Sequence, residues 1–74
     1  MNKNIIKVSE LNIEDKIYLI DKMKIKNIEI EHFKYKGLKG EYAILEYQDN
    51  KHLLISPLHI IELIKNVPHI RFML

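Results

Sequence analysis

The sequence predicts a mainly-β chain of the α+β class: a small, strongly bent antiparallel sheet or half-barrel with one helix over about residues 57–67. Three observations carry that expectation. Residues 41–48 and 52–56 are rich in aromatic and aliphatic side chains and flank Asp49-Asn50, residue types that tolerate the positive φ of tight hairpin turns. Ser56-Pro57 then stands where a favoured N-cap and a first-turn proline belong. Seventy-four residues make one domain, 1–74, and a chain of that size buries only about 60% of its unfolded surface.

Taken in chain order, Ile5-Ile6-Lys7-Val8 reads as a short strand. Residues 11–26 admit two readings. Ile13, Ile17 and Ile20 suit a helix capped by Ser9, whereas Ile17-Tyr18-Leu19-Ile20, Met23 and Ile25 suit strands preceded by a turn at Glu14-Asp15. Lys16 and Lys24 interrupt the helical stripe, which favours strand. Ile28 to Tyr35 forms a further strand, joined to Glu41 onward by the loop Lys36-Gly37-Leu38-Lys39-Gly40. Pairing Tyr35 with Gly40 keeps Ile28 and Ile30 on the same face as Leu45, Tyr47 and Leu54; a shift of one residue would set them beside Glu46. In the next hairpin, a turn at Asp49-Asn50 pairs Tyr47 with His52, Leu45 with Leu54, and Ile44 with Ile55. Over 57–67, Ile60, Ile61, Ile64 and Val67 fall on one helical stripe, with Glu62 and Lys65 facing water. Pro68 ends the helix, and residues 69–74 read as a closing strand.

Apolar residues make up 47% and charged residues 30%, a globular balance rather than a disordered one. The absence of cysteine removes disulfides, thiolate zinc sites and cysteine nucleophiles together. Met1 to Ile6 lack the apolar stretch of a signal peptide, and no run approaches the roughly 18 apolar residues of a membrane span. The expected location is cytoplasmic, with no membrane partner. Net charge is +2, carried almost wholly by lysine, with Arg71 the only arginine. That is mildly basic, well short of what nucleic-acid binding alone would demand.

Catalytic chemistry finds few carriers. His32, His52, His59 and His69 show no tight ligand spacing, so no metal or cofactor is expected. Ser9 and Ser56 are the only hydroxyl nucleophile candidates besides tyrosine, and Ser56 is better explained as a cap. Glu29, Glu31, Glu41 and Glu46 can approach one another on adjacent strands, but acid–base work needs a recessed pocket that a domain this small rarely offers. Gly37-Leu38-Lys39-Gly40 is a G-x-x-G tetrapeptide joining strands, not the helices that a backbone-clamping loop of that type requires. The chain is expected not to be an enzyme. What remains is the sheet face opposite the core. The preferred register sets Phe33 opposite Tyr42, with Tyr35 at the loop base and Lys34, Lys36 and Lys39 around it. Aromatics beside lysines stack bases and neutralise phosphates.

The stretch from about Asn27 to Val67 resembles small OB-like single-stranded-DNA-binding proteins of bacteriophages and mobile elements. Gly40-Glu41-Tyr42-Ala43-Ile44-Leu45-Glu46, Leu54-Ile55-Ser56-Pro57 and Ile60-Ile61-Glu62-Leu63-Ile64-Lys65 carry the resemblance. It implies an OB-like half-barrel that binds single-stranded nucleic acid; the face read above for that role, or for a protein partner, consists of Phe33, Lys34, Tyr35, Lys36, Lys39 and Tyr42. In size and composition the chain is also similar to short phage-encoded inhibitors of host defence or regulatory proteins, anti-CRISPR proteins among them. That alternative implies a host protein as partner. An unpaired edge strand additionally offers a route to a homodimer.

Overall fold

The structure, a computed structural model, describes residues 4–72. Seven strands follow in order: β1 (Ile5–Lys7), β2 (Lys16–Ile25), β3 (Ile28–Lys39), β4 (Tyr42–Tyr47), β5 (Lys51–Ile55), β6 (Ile60–Ile64) and β7 (Val67–Ile70). One 3-10 turn, Val8–Glu10, separates β1 from β2. The strands form one sheet in the order β1-β6-β7-β2-β3-β4-β5. β2 to β5 make a meander; the chain then crosses to the far side of β2 and adds the β6–β7 hairpin. Every pairing is antiparallel except β2 with β7.

The sheet is mainly β and curls strongly into a half-barrel around its own apolar face. β4 displays the alternation that makes this possible. Ala43, Leu45 and Tyr47 point inward, while Tyr42, Ile44 and Glu46 point out. Phe33 lies at the centre of the core with 0% exposure. Its ring meets Tyr47 and Phe72 edge to face, at centroid distances of 5.9 and 6.0 Å. Val8, Ile17, Ile61 and Ile70 close the core from β2, β6, β7 and the 3-10 turn.

Three expectations are corrected. The helix over 57–67 is absent: Ile60–Ile64 and Val67–Ile70 are strands joined by Lys65-Asn66, both at positive φ (52° and 66°). Ile60, Ile61, Ile64 and Val67 are β-branched and favour extended backbone, and two left-handed residues in succession make a tight hairpin turn, not a helix. Ile61 and Leu63 face the core while Ile60, Glu62 and Ile64 do not, so the apolar run serves period 2 as well as 3.6. Ser56 does bond a downstream amide, since its Oγ accepts from Leu58 N at 3.1 Å. That bond belongs to a turn in which His59 N also donates to Ser56 O at 3.1 Å.

The second correction is the β4–β5 register. The turn takes three residues, Gln48-Asp49-Asn50, so that Tyr47 pairs with Lys51, Leu45 with Leu53 and Ile44 with Leu54. The slip turns Leu53 inward and leaves Leu54 on the outer face, 53% exposed. The third is the β3–β4 hairpin. β3 continues through the expected loop to Lys39, and the reversal uses only Gly40-Glu41, with Gly40 at φ +61°. A bulge between Tyr35 and Leu38 absorbs the extra length. It contains Gly37 at φ +101°, where a Cβ would lie 3.2 Å from the Ile13 side chain. Tyr35 therefore pairs with Leu45, not Gly40, and Tyr42 pairs with Lys39, not Phe33.

Residues 16–25 are strand, preceded by a turn in which Asp15 N donates to Asn12 O at 3.0 Å and Asn12 N donates to Asp15 Oδ2 at 2.9 Å. β1 covers Ile5–Lys7 and gives way to the 3-10 turn at Val8. The closing strand begins earlier than expected, at Val67, and ends at Ile70; its expected end at residues 73–74 lies outside the described residues. No helix among the described residues is long and apolar enough to cross a membrane.

Candidate functional site

The six residues expected to form a binding face separate into three environments. Phe33 and Tyr35 belong to the core, at 0% and 3% exposure, and burial raises the Tyr35 phenol above its ordinary value. Lys34 and Lys36 stand on the outer face, but both reach Glu14: Lys34 Nζ lies 3.5 Å from one carboxylate oxygen, and Lys36 Nζ donates to the other. The hydrogen bond from Lys36 holds the Glu14 carboxyl below its ordinary value, and the Lys36 ammonium is raised in return. Glu14 is held there by backbone: its N–H donates to Tyr35 O at 2.7 Å, and Tyr35 N donates to Asp15 O at 2.8 Å. Lys39 and Tyr42 form a cross-strand pair, and Tyr42 is 51% exposed. They border a shallow groove with Ile44, His52 and Leu54.

A different aromatic group occupies the middle of the outer face. Tyr18 on β2 is the cross-strand partner of His32 on β3 and of His69 on β7. Its ring lies 5.8 Å from each imidazole, tilted by 45° and 36°. Strand pairing thus generates a row of three rings across three adjacent strands, with Tyr18 38% exposed at its centre. His69 Nδ1 lies 2.8 Å from Val67 O, a contact that requires the proton on Nδ1 and fixes the ring orientation. Two residues along the strands, on the same face, Lys16 pairs with Lys34. The row ends at Glu62, the partner of His69 on β6. Arg71 meets Glu62 at 3.3 Å and Asp21 at 3.7 Å, and Glu46 lies opposite Lys34, within 3.4 Å of His52.

Flat π surfaces next to two ammonium groups can stack planar rings and neutralise phosphates. Ser56 Oγ is engaged by the Leu58 amide. Among the described residues, no group of three or more His, Asp or Glu side chains is placed to hold a metal ion. Reading the residues alone misses Tyr18, His32, His69 and Lys16 as a group because two non-local pairings assemble them. One depends on residues 16–25 being a strand. The other depends on the parallel β2–β7 ladder, whose paired residues are far apart in the chain. The aromatic character of Tyr18 beside Lys16 is the only local signal. Comparison with protein-family models, with curated proteins and with solved structures finds no match to this chain.

Proposed function

We propose that this chain is a non-catalytic binding protein that holds single-stranded nucleic acid against its outer sheet face. The observation that supports the reading is the row His32–Tyr18–His69, flanked by the Lys16–Lys34 pair. Bases stack on the rings, each contact contributing about 1–3 kcal/mol, while the lysines pair with phosphates. Every base has a π face, so the binding discriminates little between sequences. Glu62 and Glu46 border the row and limit the favourable field, which makes the binding weak and salt-sensitive. The reading implies the cytoplasm as the compartment of action.

Fluorescence anisotropy of labelled oligo-dT at low salt tests it. With two phosphate contacts, log K should fall against log salt with a slope of about −1.4. Tyr18→Ala should weaken binding by about 5- to 150-fold, the equivalent of one stacked base. No binding at micromolar protein, or full binding by Tyr18→Ala, would remove this reading.

A second reading, binding to a protein partner such as a host protein that the chain inhibits, is favoured by one separate observation. Tyr42, Ile44 and Leu54 form an apolar patch beside the open β5 edge. It predicts a complex that survives nuclease and persists in Tyr18→Ala but is lost in Tyr42→Ala.

A further inference from the structure

We propose that β5 pairs antiparallel with β5 of a second copy, about a two-fold axis at Leu54, and so extends the sheet into a dimer. The inference does not depend on the nucleic-acid reading. The two edges of the sheet differ. β1 is three residues long, carries Lys7 and runs directly into the 3-10 turn, devices that make an edge a poor template. β5 has five residues, Lys51-His52-Leu53-Leu54-Ile55, with its one lysine at the end and no proline or bulge. Among the described residues, no strand pairs with it other than β4, and no loop backbone hydrogen-bonds to it.

The side chains fit a copy of themselves. A two-fold axis at Leu54 sets Leu54 against Leu54 of the second copy and Leu53 against its Ile55. Ile44 lies opposite Leu54 within each copy, so the outer face gains an unbroken row, Ile44–Leu54–Leu54–Ile44. On the inner face, Leu53 and Ile55 are each half-buried at the rim of the core, and each would cover the other. Beyond the paired residues 53–55, His52 and Lys51 run alongside the second copy's Ser56-Pro57, which leave the strand for a turn; no like charges meet, and the two Lys51 side chains sit at opposite ends of the seam. Shifting the axis by one residue, to Leu53, would set Leu54 against His52 and Ile55 against Lys51. The apolar match therefore selects both the partner and the register. A closed two-fold contact also ends the assembly at two copies.

Sedimentation of the full chain across the micromolar-to-millimolar range should show a dimer whose population rises with concentration. Leu54→Lys should raise its dissociation constant by at least about tenfold while leaving the circular dichroism spectrum unchanged, because Leu54 is exposed within one copy. The chain has no cysteine, which permits a second measurement. Leu54→Cys should oxidise to a disulfide-linked dimer in a glutathione buffer, whereas Ile5→Cys, on the opposite edge, should stay monomeric. A chain that remains monomeric to millimolar concentration overturns the proposal and leaves the patch to a different protein. A dimer that tolerates Leu54→Lys, or that cross-links equally through Ile5→Cys, overturns it by assigning the contact to another surface.

Discussion

Phe33 and Tyr18 are fifteen positions apart and lie on opposite faces of the sheet. Phe33 sits beside lysines yet fills the centre of the core, in contact with Tyr47 and Phe72. Phe33→Ala should therefore cost about 3–5 kcal/mol, a large share of the 5–15 kcal/mol available to a small domain. Urea denaturation should report either a steep loss of stability or an unfolded chain. Glu14 acts at the surface. Its carboxyl is lowered from the ordinary value of 4.5 by the Lys36 hydrogen bond. A depressed folded-state value means that its contribution to stability is present above the unfolded value and lost as pH falls through the folded one. The Lys36 side of the same pair, raised above 10.5, contributes below 10.5 and is lost as pH rises through its folded value. Thermal melts from pH 6 to pH 3 should thus show a smaller decline for Glu14→Gln than for the native chain. Because the substitution also frees Lys34 and Lys36, it should tighten oligo-dT binding and steepen its salt dependence.

Turns decide the elements in this chain. Lys26-Asn27 and Lys65-Asn66 each occupy the two central positions of a tight hairpin at positive φ, in the β2–β3 and β6–β7 hairpins. Lysine has a Cβ that resists this conformation, whereas Asn-Gly adopts it readily. The double substitution Lys65→Asn with Asn66→Gly should therefore stabilise the chain by about 1 kcal/mol, because relief of the left-handed strain exceeds the backbone freedom that glycine adds to the unfolded chain, an increase of several degrees in Tm. The β6–β7 hairpin itself predicts NOEs between Ile61 and Ile70 and between Leu63 and Pro68; sequential amide contacts of helical type over 57–67 would contradict it. This is also where the sequence was least legible. Alternation in β4 placed Leu45 and Tyr47 on the core side because its inward residues follow period 2 without interruption. The apolar run at 60–67 satisfies a helix and a strand alike, and Lys-Asn is a weaker turn signal than Asn-Gly, so local spacing could not separate the two. Gly37 and Gly40 bracketed what looked like a loop, yet one serves a bulge and the other the turn. That difference shifted the Phe33–Tyr42 register and, with it, the expected site.

One curled sheet presents two faces of different chemistry. Its inner face is almost wholly aliphatic and aromatic and contains no buried charged side chain among the described residues. Its outer face combines the Tyr18 row near the middle with the Tyr42–Ile44–Leu54 patch toward β5. Both outer features are products of strand order, since β7, β2 and β3 must be neighbours for the three rings to meet and β5 must be last for its edge to remain open. The bent, mainly-β character follows from composition and alternation; the strand order does not, because the β2–β7 ladder joins residues about fifty positions apart. The proposed nucleic-acid site is the Tyr18 row. Amide chemical-shift mapping on the native chain, titrated with oligo-dT at low salt, tests it most directly. Saturable shifts are expected to cluster at Lys16, Tyr18, His32, Lys34 and His69, with the β4–β5 hairpin unaffected. Shifts centred on Tyr42, Ile44 and Leu54, or no shifts at any oligonucleotide concentration, would contradict it.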